Sequence, residues 1–110
     1  MSKSPAIYIG HILDEADYVI GALEDVSEEQ FYGDETLKRA MVRSLEVIGE
    51  ATKKLPDDFR DAHPDVPWRK MAAMRDVLIH DYVGVDYEIV WDVITTRIPD
   101  LRRQLRSLQD

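Results

Sequence analysis

The stretch Asp34-Glu35-Thr36-Leu37-Lys38-Arg39-Ala40-Met41-Val42-Arg43-Ser44-Leu45-Glu46-Val47-Ile48-Gly49-Glu50-Ala51-Thr52-Lys53-Lys54-Leu55-Pro56 decides the fold. Leu37, Met41, Leu45, Ile48, Thr52 and Leu55 recur every three or four residues, which lines them along one stripe of an α-helix, with charged residues on the other side. Asp34 suits the N-cap, where its carboxylate can accept a backbone N–H that has no partner inside the helix. Pro56 lacks the donor a further turn needs. The pattern predicts a helix over 35–55. Gly49 inside it costs helix stability, so it predicts that the backbone of another helix approaches closely there.

The same period extends outward in both directions. A first helix over 5–25 would bury Ile9, Ile12, Leu13, Ala16, Ile20 and Leu23 and turn its acids to solvent. Ser27-Glu28-Glu29-Gln30 has the form of a capping box, but Gly33 interrupts it, so only a short turn is expected. Residues 57–66 allow a helical turn at most, because His63-Pro64 resists helix. Pro67 suits the first position of a third helix over 68–82, with Val83-Gly84 as its stop. Asp86 can cap a fourth helix whose stripe is Val90, Val93, Ile94 and Ile98. Pro99 is expected to kink or restart it before Leu101, Leu105 and Leu108. The expected fold is all-α: one domain over residues 1–110, an antiparallel up-and-down bundle of four main helices with a short C-terminal helical extension.

Composition narrows the chemistry. Of 110 residues, 45% are hydrophobic and 33% charged, the profile of a globular chain, not a disordered tail. Cysteine is absent, which excludes disulfides, thiolate zinc sites and cysteine nucleophiles, and fits a reducing cytoplasm. The run 7–13 is too short to span a bilayer and lacks the flanks of a signal peptide, so neither signal nor membrane anchor is expected. Net charge is -8, yet residues 1–36 hold one cation against nine acids, and the remaining residues are neutral overall. The acidity therefore belongs to the first third, which more plausibly meets solvent or a basic partner than RNA.

Spacing removes further classes. No histidine has a glutamate three residues before it, and no two histidines are four apart, so ferritin-like and zincin patterns fail. No glycine-rich phosphate loop occurs, and no serine lies in a nucleophile elbow. Metal-free acid/base chemistry, without a cofactor, remains.

For that chemistry the informative segment is Arg75-Asp76-Val77-Leu78-Ile79-His80-Asp81-Tyr82. Arginine is a permanent cation that fits phosphate oxygens, and histidine exchanges protons near neutral pH. Were the segment helical through Tyr82, Arg75 would project from an apolar surface flanked by Met71, Ala72, Leu78 and Ile79. His80 would then sit in the last turn, one turn after Asp76, and both the helix end and that carboxylate would raise its pKa. A spacing of five turns the helix by roughly 140°, so Arg75 and His80 share a cleft only if the arginine bends or if two copies meet. The second arrangement predicts a homodimer. On the residues alone a plainer reading stands beside it: Arg75 bridges acids at a helix interface, His80 caps a helix end, and Tyr82 is a packed aromatic.

The wider sequence resembles the HEPN-domain toxins of the HepT type along nearly its whole length. The resemblance is carried by 43–51, Val66-Pro67-Trp68, 74–82, Val85-Asp86 and Val90-Trp91, in that order. It implies a single HEPN-like helical domain and a toxin ribonuclease of a type VII-like two-gene system, partnered by a nucleotidyltransferase antitoxin of the MNT type. It assigns Arg75 and His80 to an Arg-x4-His active site. His80 would take the proton from a ribose 2′-hydroxyl, and Arg75 would stabilise the phosphorane oxygens. Tyr82 would be the residue to which the antitoxin transfers AMP. Asp76 stands where asparagine is the family expectation, either weakening RNA binding or orienting His80.

Lys38, Arg39, Arg43, Arg97, Arg102, Arg103 and Arg106 are expected to be mostly solvated surface, like His11 and His63. Trp68 and Trp91 are expected to be core or interface anchors. Two functions stay in view, a metal-independent endoribonuclease and a non-catalytic helical module that binds nucleotides or a protein partner.

Overall fold

Asp34 caps the helix that the opening stretch predicts: its Oδ1 accepts the Leu37 N–H at 3.0 Å. The computed structural model describes residues 4–80 and 84–109. In order these are α1 (Pro5–Ala22), α2 (Glu28–Tyr32), α3 (Glu35–Lys53), α4 (Asp57–Ala62), α5 (Trp68–Ala72), α6 (Met74–Leu78), β1 (Ile79–His80), β2 (Gly84–Val85), α7 (Tyr87–Asp92), a π-helical turn (Val93–Arg97) and α8 (Ile98–Ser107). Four helical rods pack together: α1, α3, the α5–α6 pair, and the run from α7 through the π turn into α8. This is the all-α bundle the periodicity predicts.

The core is one cluster. Ile9, Ile12, Leu13, Ala16 and Val19 of α1 meet Met41, Leu45 and Ile48 of α3, and Val90, Ile94, Ile98, Leu101 and Leu105 close it from the last rod. Val19 is fully buried, whereas Ile20 and Leu23 are only partly covered. The capping box at Ser27 forms in both directions, at 2.8 and 3.1 Å, and starts the five-residue α2. That short helix inserts Phe31 against the Trp91 ring, 5.3 Å between centroids, and Phe31 is wholly buried. Trp68 is a core anchor as expected; its indole N–H donates to the His63 and Arg60 carbonyls at 2.9 and 3.2 Å and ties down the segment after α3.

One expectation is corrected. The third helix does not run over 68–82. It divides at Ala73 and ends at Leu78, after which Ile79 and His80 are extended and pair antiparallel with Val85 and Gly84. The Leu78 carbonyl accepts the Asp86 N–H at 2.8 Å, so the chain after α6 is tied to the start of α7 and not to a further turn. A β-branched residue at 79 suits the extended backbone, and Gly84 takes a φ of 100° that other residues resist. At Pro99 the last rod restarts as expected, with α8 beginning at Ile98 after the π-helical turn. The proline lies in the first turn of α8, and the π-helical turn before it accommodates the missing donor. The Thr95 and Thr96 hydroxyls donate to the Trp91 and Asp92 carbonyls at 2.7 and 2.6 Å, satisfying groups the wider turn loosens.

Candidate active site

Gly49 sets the distance between α3 and the α5–α6 pair. A Cβ added there would lie 3.3 Å from the Met71 carbonyl oxygen and 3.6 Å from that of Ala72, so any side chain would crowd this approach. The two rods run antiparallel. One turn back along α3 stands Glu46, and one turn forward along the pair stands Arg75, with its Nε 3.9 Å from Glu46 Oε2. That separation is a charge contact too long for a hydrogen bond. The Arg75 side chain is 63% exposed and that of Glu46 27%. An exposed pair of this kind contributes at most about 1 kcal/mol, so an incoming phosphate can compete for the guanidinium.

This placement revises how Arg75 is surrounded. Met71 and Leu78, expected to form an apolar surface around it, are turned into the protomer's own core at 2% and 0% exposure. Arg75 instead emerges into solvent with Asp76, also exposed, as its neighbour. Two of the four apolar residues that suggested two copies meeting at Arg75, Met71 and Leu78, are therefore used within one chain. The acid-bridging reading of Arg75 is also realised, by Glu46 across the α3–α6 interface.

His80 lies beyond the end of α6, on an extended backbone opposite Gly84. It is not in a last helical turn, so the turn-to-turn pairing with Asp76 and the roughly 140° offset from Arg75, both properties of a continuous helix, do not apply. The His80 imidazole, its expected raised pKa, and the whole of Tyr82 lie outside the described residues. Asp86, at the foot of the ladder, accepts the Glu88 and Ile89 N–H groups at 3.1 and 3.3 Å and caps α7 as its position predicts.

A groove beside β2 has no signal in the sequence. Tyr32, Lys38, Gly84, Val85, Asp86, Tyr87 and Glu88 line this groove of about 730 Å³. The Lys38 side chain is 12% exposed, 2.8 Å from Glu35 and 4.7 Å from the centre of the Tyr87 ring, and its hydrogen bond, then its charge, holds the Glu35 carboxyl below the usual range. The Tyr32 hydroxyl donates to Glu28 at 2.9 Å; partial desolvation, followed by that carboxylate, pushes the phenol up to about 12. Arg102 and Arg106 pair with Asp17 of α1, and Arg103 pairs with Asp100. Among the described residues no group of three or more histidines and carboxylates is placed to hold a metal ion, and no helix is long and apolar enough to cross a membrane.

Nothing in the local pattern marks Glu46 as special. Only its place one turn before Gly49, on the seam that glycine opens, could have pointed to it.

Comparison with known proteins supplies the family. Residues 12–108 match the model of the family described as "Ribonuclease HepT-like". A protein of Caldanaerobacter subterraneus subsp. tengcongensis, named as a candidate RNase, is 48% identical over 106 residues, covering 96% of this chain and 95% of that protein. A protein named as a probable ribonuclease HepT, from Thermococcus cleftensis, is 38% identical over 109 residues, with 99% of both chains covered. A candidate RNase of Methanocaldococcus jannaschii is 39% identical over 106 residues, 96% of this chain and 88% of that one. No solved structure matches the chain. With nearly its full length matched by the model and by these relatives, the chain belongs to the HepT-like ribonuclease family.

Proposed function

We propose that the protein is a metal-independent endoribonuclease in which Arg75 and His80 act on one phosphodiester. The observation that carries this reading is a solvent-open guanidinium in a HepT-like ribonuclease chain, in long contact with Glu46. His80 removes the proton from a ribose 2′-hydroxyl as that oxygen attacks the adjacent phosphorus. Arg75 balances the charge growing on the non-bridging oxygens. The P–O5′ bond breaks, leaving a 2′,3′-cyclic phosphate and a 5′-hydroxyl, and the second His80 of a homodimer gives the leaving oxygen its proton. Asp76, exposed beside Arg75, is a supporting residue that tunes the site's charge.

The same reading makes the chain the toxin of a type VII-like pair, acting in the cytoplasm. Its partner is an MNT-type nucleotidyltransferase that silences it by placing AMP on Tyr82. A bulky anionic nucleotide there would compete with RNA for Arg75.

The test is RNA cleavage in excess EDTA by protein made alone and by protein co-expressed with a nucleotidyltransferase partner, with intact masses recorded. The expected result is cutting by the protein made alone, lowered about 10²- to 10⁴-fold in His80→Ala and about 10²- to 10³-fold in Arg75→Ala. The co-expressed protein should be inactive and heavier by AMP units that are lost in Tyr82→Phe. Equal cutting by all variants overturns the site. Absence of cutting favours the second reading, a non-catalytic nucleotide- or protein-binding module, in which Arg75 faces Glu46 across the helix seam.

A further inference from the structure

We infer that Glu46 is the positioning residue of the site: its carboxylate holds Arg75 by the Nε edge and leaves the two terminal nitrogens to meet phosphate. The inference rests on the nuclease reading above and extends it to a residue on a different helix.

The geometry begins at Gly49. The Met71 and Ala72 carbonyls stand close to Gly49, so α3 and the α5–α6 pair approach tightly there, and residues one turn away on each rod face each other across the same seam. Those residues are Glu46 and Arg75. The recorded contact is between Oε2 and Nε, not between the carboxylate and the outer end of the guanidinium. A guanidinium is a planar fork with donors on two edges. With Nε the atom that meets Glu46, the two Nη atoms are left to meet two phosphoryl oxygens, the bidentate match for which arginine is suited and lysine is not.

Exposure gives the pair its asymmetry. Glu46 is the more covered partner, and its base is fixed on the long helix α3 between buried Leu45 and Ile48 neighbours. Arg75 is nearly two-thirds exposed on the five-residue α6. A long side chain on a short, solvent-facing helix samples many rotamers and gains most from an anchored partner. At 3.9 Å the contact orients the guanidinium without neutralising it by a tight bidentate clasp, so phosphate still finds a cation. Glu46 therefore acts through Arg75 and does not itself touch the reacting atoms.

The experiment has two arms on the full-length protein. In the first, kcat and KM for RNA cleavage are measured for wild type, Glu46→Ala, Glu46→Gln, Arg75→Ala and Glu46→Ala/Arg75→Ala, with circular dichroism melting to confirm each fold. The expected result is a roughly tenfold fall in kcat for Glu46→Ala with little change in KM, because misplacing a positioned group lowers the rate of the chemical step. Glu46→Gln, which keeps an acceptor oxygen, should recover most of that loss, and Glu46→Ala should add nothing in the Arg75→Ala background. Losses that add in the double variant, or a Glu46→Ala enzyme at the wild-type rate, overturn the inference.

The second arm needs no activity. The Nε–Hε NMR signal of Arg75, assigned by its loss in Arg75→Ala, should move and broaden in Glu46→Ala and move less in Glu46→Gln. An unchanged signal in Glu46→Ala shows that the carboxylate does not hold the guanidinium and overturns the inference. A wild-type protein that cuts no RNA overturns the nuclease reading and the catalytic consequence of Glu46 together, while this arm still decides whether the hold on Arg75 exists.

Discussion

At Tyr32 a single hydroxyl reports how the short α2 is set against α7. Its phenol is pushed up to about 12 by desolvation first, and then by the Glu28 carboxylate it donates to and the charges of Glu88 and Asp86. The sign follows from the acid's neutral form being the favoured one in the fold. The stabilisation is complete below pH 10, the ordinary tyrosine value, and is lost as pH rises through about 12. Ultraviolet titration of the five tyrosines should therefore show a last phase near pH 12 that disappears in Tyr32→Phe. A titration identical in wild type and variant would contradict the placement of Tyr32 beside Glu28. Tyr32 donates to Glu28 one turn back on its own helix, whereas Glu46 meets Arg75 far along the chain. Arg75 was legible because its charge sits beside apolar residues in the sequence; its partner was not, because i-to-i+4 patterns say nothing of which rods touch.

Among the elements, the ones the sequence predicted well are those with strong local signals. The α3 stripe and its Asp34 cap, the Ser27 box and the Asp86 cap all appear where their spacing places them. The third helix was misjudged at its end, since a two-residue antiparallel ladder has too few residues to show an alternation and the apolar run 77–79 suits helix and strand alike. Gly49 carries the clearest consequence. In an open helix, glycine to alanine gains about 1 kcal/mol, and nothing lies within 4 Å of a Cβ at Gly10 of α1, so Gly10→Ala should be more stable by about that amount. At Gly49 the same gain is set against a backbone oxygen at 3.3 Å, so Gly49→Ala should show little or no gain. Gly49→Leu should lose about 1–3 kcal/mol, as overpacking forces α3 and α5 apart. Chemical denaturation of the three variants checks this; a Gly49→Leu protein as stable as wild type would show that the two rods do not meet at that glycine.

For the whole molecule, the net charge of -8 describes an average that no ligand meets. Asp17 on the acidic first helix already engages Arg102 and Arg106 of α8, so part of the acidity neutralises the basic C-terminal rod and staples it to the bundle. Arg75 emerges elsewhere, on the seam between α3 and α6, with Glu46 and Asp76 as its neighbouring carboxylates. The central claim is that a ribose oxygen of the substrate is the nucleophile, and it is tested most directly by offering the protein one RNA sequence in two forms, unmodified and 2′-O-methylated throughout. The account predicts cutting of the unmodified strand alone, with fragments ending in a 2′,3′-cyclic phosphate. Cutting of the methylated strand at a similar rate, or fragments bearing a 5′-phosphate, would contradict it.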